Sequence, residues 1–383
     1  MKTKVNVMIP GPSPVTYGIL NELGRETVAF LDRGFVQGYK QLILDLKEMW
    51  HTNGECFVLS GSGTLAMEMA ISNVTQKGDS ILIVSHGFFG DRFIEMCQRR
   101  GLDVDVLSSE WGQVVPVEEI DKKLSEKNYV AVTITHVDTS TGVKSDLEEI
   151  TKMTKKYQDT ILIVDGVCST AGEREYIDDM GIDILITCSQ KAFGVPPGLA
   201  ILWAGQKALA RRKNLGSIPE SYMDFEKWIP IMNDPSKYWG TPPINLIWAL
   251  QESVRLIKEE GLENRFERHQ RDAVAIQKAL TELGFQLLAA ENNRASTLSN
   301  ILYPEGIEDL VFRGYLLEEG IAVAGGLSSY AGKMFRMGHM GNIDSHTIVS
   351  ALAAIERALY RCGFKDKLGV GTKTYMQEVM KNN

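Results

Sequence analysis

"TILIVDGVCSTAGEREYIDDMGIDILITCSQKAFGVPPGLAILWAG", residues 160–205, holds three short apolar runs rich in β-branched residues, each closed by polar or glycine-containing turns. Continuous apolar runs of this length predict strands buried on both faces. Outward from this stretch the pattern repeats in "ECFVL" from 55, "SILIVS" from 80, "DVDVL" from 103 and "VAVTITH" from 130. Longer helical segments, such as 146–157, mostly separate them. The alternation predicts an α/β domain with a largely parallel sheet, whose ligands bind at the carboxyl ends of the strands.

Upstream, "GYKQLILDLKEMW" sets Tyr39, Leu42, Ile43, Leu46, Met49 and Trp50 at helical spacing, a core-facing stripe. Residues 1–15 are extended and proline-rich and predict an arm. Downstream, a helical stretch over 242–283 leads to a second α/β pattern with "FQLLAA", "TLSNILY", "IAVAG" and "KMFRMG" as strand candidates. The expected division is an N-terminal arm over 1–20, a large domain over 21–259 and a smaller C-terminal α/β domain over 260–383.

The 383 residues carry a net charge of −8 with acidic and basic residues interspersed, so no basic stripe offers itself to nucleic acid. No apolar stretch approaches the roughly 20 residues of a membrane span, and the N-terminus has too short an apolar core for a signal peptide. A cytoplasmic protein is expected. Five scattered cysteines form neither a Cys-x-x-Cys pair nor a His/Cys cluster, so no disulfide framework and no metal site is expected. Cys168 and Cys188 are read as packing residues.

Three strands end in distinctive chemistry. After "ECFVL" comes "SGSGTLAMEMA", where Ser60, Gly61, Ser62, Gly63 and Thr64 turn into a helix whose free N–H groups can hold a phosphate. Taken alone, the turn reads equally as a helix cap. Asp165 closes the "TILIV" strand, where a carboxylate needs a cationic or N–H partner. Lys191 follows the next strand by a short loop, 26 positions on. Burial there would lower its pKa and make it a better nucleophile, although a lone lysine is ordinarily a solvated surface residue. A phosphate cradle, a buried acid and a lysine at one sheet edge match the needs of pyridoxal 5′-phosphate.

The ordered series "GPSP", "SGSGT", "GFFGDR", "DTSTGV", "VDGVCS", "GIDILITCSQKAFGVPPG", "YWGTPPINLIWALQE", "GLENRFERH" and "FRMGHMG" resembles the class V aminotransferases of fold type I. Within them it is most similar to the alanine–glyoxylate / serine–pyruvate group. The resemblance spans nearly the whole chain and implies a transaminase that uses pyridoxal 5′-phosphate in a ping-pong cycle. By it, Lys191 is the internal-aldimine lysine and proton carrier, and Asp165 pairs with the pyridine nitrogen. Ser62, Gly63, Thr64 and Gln190 are phosphate ligands. Phe89 is the stacking aromatic, at a position often tryptophan in relatives. Thr139 lies near the cofactor's O3′, and Val167 packs under the ring. Arg336 holds the substrate carboxylate. Tyr238 and Thr241 reach the phosphate of a neighbouring subunit, which implies a homodimer with shared sites. His136 and His339 are left as structural.

"SQK" and "GTPP" favour alanine or serine as donor and glyoxylate or pyruvate as acceptor. The 2-aminoethylphosphonate–pyruvate and ureidoglycine–glyoxylate transaminases are the nearest alternatives, since a guanidinium grips a phosphonate as readily as a carboxylate. A cysteine desulfurase typically has His before the lysine and a loop cysteine, whereas this chain has Gln190 and no cysteine in 320–340. A cofactor-binding protein without turnover would have no need to keep Lys191, Asp165 and Arg336 together.

Overall fold

The computed structural model describes residues 5–381, so the first four residues of the expected arm lie outside the described residues. Seven strands form the main sheet: β1 (Glu55–Ser60), β2 (Ser80–Ser85), β3 (Asp103–Ser108), β4 (Ala131–Thr135), β5 (Ile161–Asp165), β6 (Ile184–Cys188) and β7 (Leu199–Ala204). Their spatial order is β1-β7-β6-β5-β4-β2-β3. Only β7 runs antiparallel to its neighbours; the pairs β6/β5, β5/β4, β4/β2 and β2/β3 are all parallel. The sheet is α/β and mainly parallel, as the sequence predicts.

Every residue of β4, β5, β6 and β7 is buried, which accounts for their unbroken apolar runs. No residue of β3 is fully buried, because it forms an edge of the sheet with only β2 beside it; its alternating "DVDVLS" is the pattern of an edge strand. The expectation of two buried faces therefore fails for β3. Helix α1 (Arg33–Met49) starts at Asp32, whose side chain accepts the Phe35 N–H at 2.9 Å, and buries Phe35, Tyr39, Leu42, Ile43 and Leu46. Each such side chain contributes about 1.5–3 kcal/mol by leaving water.

Two further helices carry site residues: α2 (Gly63–Val74) directly after β1, and α3 (Phe88–Arg99) after β2. Helices α4 (Ile244–Glu260) and α5 (Leu262–Glu282) are separated at Gly261, whose φ of +82° interrupts the expected continuous helical stretch. Beyond them, β8 (Gln286–Leu287), β9 (Leu298–Leu302), β10 (Ala324–Gly325) and β11 (Met334–Gly338) form an antiparallel sheet in the order β8-β9-β11-β10.

"IAVAG" is not one strand. Ile321–Ala322 pairs in parallel with Asn6–Val7, whereas Ala324–Gly325 pairs with β11, so the chain changes partners at Val323. The same pairing ties the N-terminal segment down and buries Met8 completely in the second core. A short helix, Tyr17–Leu23, begins inside the span expected to be arm. No helix among the described residues is long and apolar enough to cross a membrane.

Candidate active site

The carboxyl ends of β1, β4, β5 and β6 lie along one edge of the main sheet, and the segments leaving them enclose a cavity of about 220 Å³. Ser62, Gly63, Thr64, Phe89, Thr139, Asp165, Val167, Gln190 and Lys191, nine of the residues singled out from the sequence, all line it.

At one end, Ser62 occupies the N-cap of α2 without a capping bond from its side chain, and the first turn carries no acidic residue. The N–H groups there are free to meet an anion. Glycine is required at 63 because a Cβ would sit 2.9 Å from Val167 Cγ2. Gln190 Oε1 is buried beside this end without a hydrogen-bond partner. A buried polar atom left open, an uncapped helix start and an enclosed volume fit a phosphorylated ring bound by its phosphate.

Asp165 stands at the end of β5, the central strand, and is 3% exposed. Its Oδ1 accepts the Val167 N–H at 2.9 Å. Burial pushes the carboxyl up to about 7, with the charges of Asp138 and Glu175 adding to the rise and Lys191 and the Val167 N–H opposing it. A cationic ring nitrogen placed beside it would restore the carboxylate.

Lys191 is 9% exposed. Its Nζ donates to the Pro10 carbonyl, while Ser13 Oγ donates to the Lys191 carbonyl at 2.5 Å. The N-terminal segment thus lies directly against the lysine. Gly11, with φ +106°, permits this approach: a Cβ there would fall 2.5 Å from Lys191 Cδ.

Phe89 projects from the first turn of α3, and Asp138 fixes that turn. Its Oδ2 accepts the N–H groups of Phe89 and Gly90 at 3.0 and 3.1 Å; its Oδ1 accepts Ser140 N and Oγ at 2.9 and 2.6 Å. Burial pushes the Asp138 carboxyl up, and these four bonds hold it down. Thr139 follows directly, with Oγ1 2.5 Å from Cys168 Sγ. Cys168 and Cys188, which the sequence places beside Asp165 and Lys191 as packing residues, also line the cavity.

The remaining three candidates do not line this cavity, although Arg336 is near enough to Cys168 and Asp138 to interact with them electrostatically. Arg336 lies on β11, where Nε donates to the Gly325 carbonyl at 2.7 Å. No carboxylate among the described residues pairs with it, and burial draws its pKa down. Tyr238 is 60% exposed, with its hydroxyl 3.3 Å from Thr241 Oγ1. His136 Nδ1 lies 2.6 Å from Glu175 Oε1, and His339 Nε2 lies 3.0 Å from Ser299 Oγ, both in buried networks away from the lysine. A larger cleft of about 980 Å³, lined by ion-paired side chains such as Lys144, Glu173 and Arg174, holds none of the nine convergent residues.

Sequence reasoning passed over Asp138, Arg92 and Gly11. Asp138 was visible as the first residue of an Asp-x-Ser turn signal, but its hold on α3 joins residues 49 positions apart.

A sequence model of the family described as "Aminotransferase class-V" matches residues 25–348. An uncharacterized aminotransferase of Methanocaldococcus jannaschii is 37% identical over 94% of both chains. A serine–glyoxylate aminotransferase of Hyphomicrobium methylovorum is 35% identical over 100% of this chain and 96% of its own. The crystal structure of an alanine–glyoxylate aminotransferase from Nostoc sp. superposes with a TM-score of 0.89 at 31% identity, covering 94% of this chain and 96% of that one.

Proposed function

The chain belongs to the class V aminotransferases and is a transaminase, and from that premise we propose that it moves the amino group of a small amino acid, alanine or serine, to glyoxylate or pyruvate. The observation that carries this reading is the convergence of Lys191, Asp165, Phe89 and the uncapped start of α2 on one enclosed cavity. Glyoxylate as acceptor is supported by the activities named for the relatives.

When bound, pyridoxal 5′-phosphate supplies an aldehyde carbon that condenses with amines and a ring that accepts the electron pair left at the substrate's Cα. Ser62, Gly63, Thr64 and Gln190 hold its phosphate. Asp165 binds the ring nitrogen and keeps it protonated, Phe89 and Val167 enclose the ring, and Thr139 donates near O3′. Lys191 Nζ would hold the aldehyde carbon until the substrate's amine displaces it, and the freed lysine amine would then carry the proton from Cα to the cofactor side. Arg336 grips the substrate carboxylate through its unpaired guanidinium. Donor and acceptor use the same carboxylate grip, so the oxo acid made from the donor leaves before the acceptor enters, which makes the cycle ping-pong. Tyr238 and Thr241, exposed in one chain, serve the neighbouring copy's cavity in a homodimer. A large domain over 21–259 and a small one over 260–383 are supported by the interruption at Gly261 and by a second buried core drawn mostly from residues beyond 274, although Ala295, Leu298 and Met340 join the first core.

The visible spectrum of the cofactor-loaded protein, recorded with alanine, serine or 2-aminoethylphosphonate in turn, tests the reading. Alanine or serine is expected to convert the lysine-held cofactor to its pyridoxamine form and release one oxo acid per site without any acceptor. Conversion by the phosphonate alone would replace this reading with the phosphonate transaminase.

A further inference from the structure

We propose that Arg92 is the cation that matches the cofactor's phosphate, a role resting on the reading of the cavity given above. Arg92 lies on α3, three residues beyond Phe89, and lines the cavity. Its Nη1 donates to Thr64 Oγ1 at 3.1 Å, which joins it to the first turn of α2. Because that hydroxyl already accepts from Arg92, its own proton is directed elsewhere and can be donated to an anion. The guanidinium carbon also lies 5.0 Å from the centre of the Phe89 ring and 5.3 Å from that of Phe88. One side chain therefore touches both the phosphate cradle and the aromatic platform.

The charge of Arg92 has no paired counterpart among the described residues. Its neighbours in the adjoining cleft are neutralised: Arg99 pairs with Glu95 at 2.6 Å, and Arg100 pairs with Glu220. Arg92 makes no ion pair among the described residues, although Glu68, Glu95 and Glu220 all line the same cleft. Asp91, next in sequence, is occupied by Ser85 Oγ at 2.7 Å. The start of α2 adds a partial positive charge that neither a capping side chain nor a first-turn acid offsets. A partly buried guanidinium beside an uncapped helix start, with Asp91, Glu95 and Glu220 each engaged by another partner, is complementary to a phosphate dianion. The dipole alone supplies roughly half a unit charge, and Arg92 adds a full one.

This role separates from simple support of the Phe89 ring through the ligand's own phosphate. Binding of pyridoxal 5′-phosphate and of unphosphorylated pyridoxal to the full chain, freed of cofactor, is measured by equilibrium dialysis for wild type, Arg92→Gln and Arg92→Lys. Far-UV circular dichroism and thermal midpoints check that each variant is folded. Arg92→Gln is expected to weaken the phosphorylated ligand by about 10- to 100-fold and pyridoxal by less than about threefold, with Arg92→Lys between wild type and Gln. Equal losses for both ligands would reduce Arg92 to a prop for the platform, and undiminished phosphate preference in Arg92→Gln would overturn the inference while leaving the cavity's reading intact. A wild type with no preference for the phosphorylated ligand would remove the phosphate cradle itself, and this inference with it.

Discussion

The two halves of the candidate site are built in opposite ways. The proposed cofactor half is assembled mainly within one chain: four strand ends of a single sheet carry Thr64, Thr139, Asp165 and Lys191 into a common cavity, and Asp138 locks Phe89 beside them. The substrate half is not built from that sheet. Arg336, the proposed carboxylate grip, comes from a second sheet and spends one N–H on Gly325. A rigid sheet can hold a permanent ligand, whereas groups that meet a transient substrate or a second subunit are placed on separate elements. Changes in the first half should therefore disturb cofactor state and rate together, and changes in the second should disturb substrate binding alone.

Lys191→Ala should have the largest effect. Without Nζ the cavity loses the one amine among the described residues that line it, and kcat is expected to fall by roughly 100- to 10,000-fold in a steady-state assay with alanine and glyoxylate. Near-normal turnover would remove the lysine from the reaction.

Asp165→Asn sharpens the comparison through pH. The carboxyl stands near 7 in the folded chain against an ordinary value of 3.8, so the folded state holds its proton more tightly than the unfolded state does. Stability from this group is fully present below about pH 4 and is lost as pH rises toward 7. In urea titrations of cofactor-free protein, wild type should lose roughly 1–4 kcal/mol relative to Asp165→Asn across that window. Saturating cofactor should reduce the loss by placing a cation against Asp165. Parallel profiles for the two proteins would show that Asp165 is ionised in both states.

Arg336→Ala should act on the other half. A lost charge-assisted pair is expected to raise the KM for alanine by about 10- to 100-fold, with cofactor affinity unchanged within about twofold. Equal losses in both would break the division between the halves.

Much of the main sheet was legible because its strands are buried on both faces, so "TILIVD" and "VAVTITH" declare themselves by composition alone. The antiparallel sense of β7 was not, since a fully buried strand carries the same apolar run in either direction. The change of partner at Val323 depends on Asn6–Val7, more than 300 residues away, and leaves no local mark. Within the site, Asp165 and Lys191 stood out because charged groups at buried strand ends demand an explanation. Arg336 became visible only through the resemblance. Arg92 and Gly11 escaped notice because their significance lies in what they face, Thr64 and Lys191, and neither neighbour can be read from spacing.

The most direct test is to load the purified chain with pyridoxal 5′-phosphate, treat it with borohydride, which makes a carbon–nitrogen double bond permanent, and locate the label by peptide mass spectrometry. The expected result is one label per chain, on the peptide that contains Lys191, and none in Lys191→Ala. A label on another lysine, or no label in wild type, would contradict the assignment of this cavity.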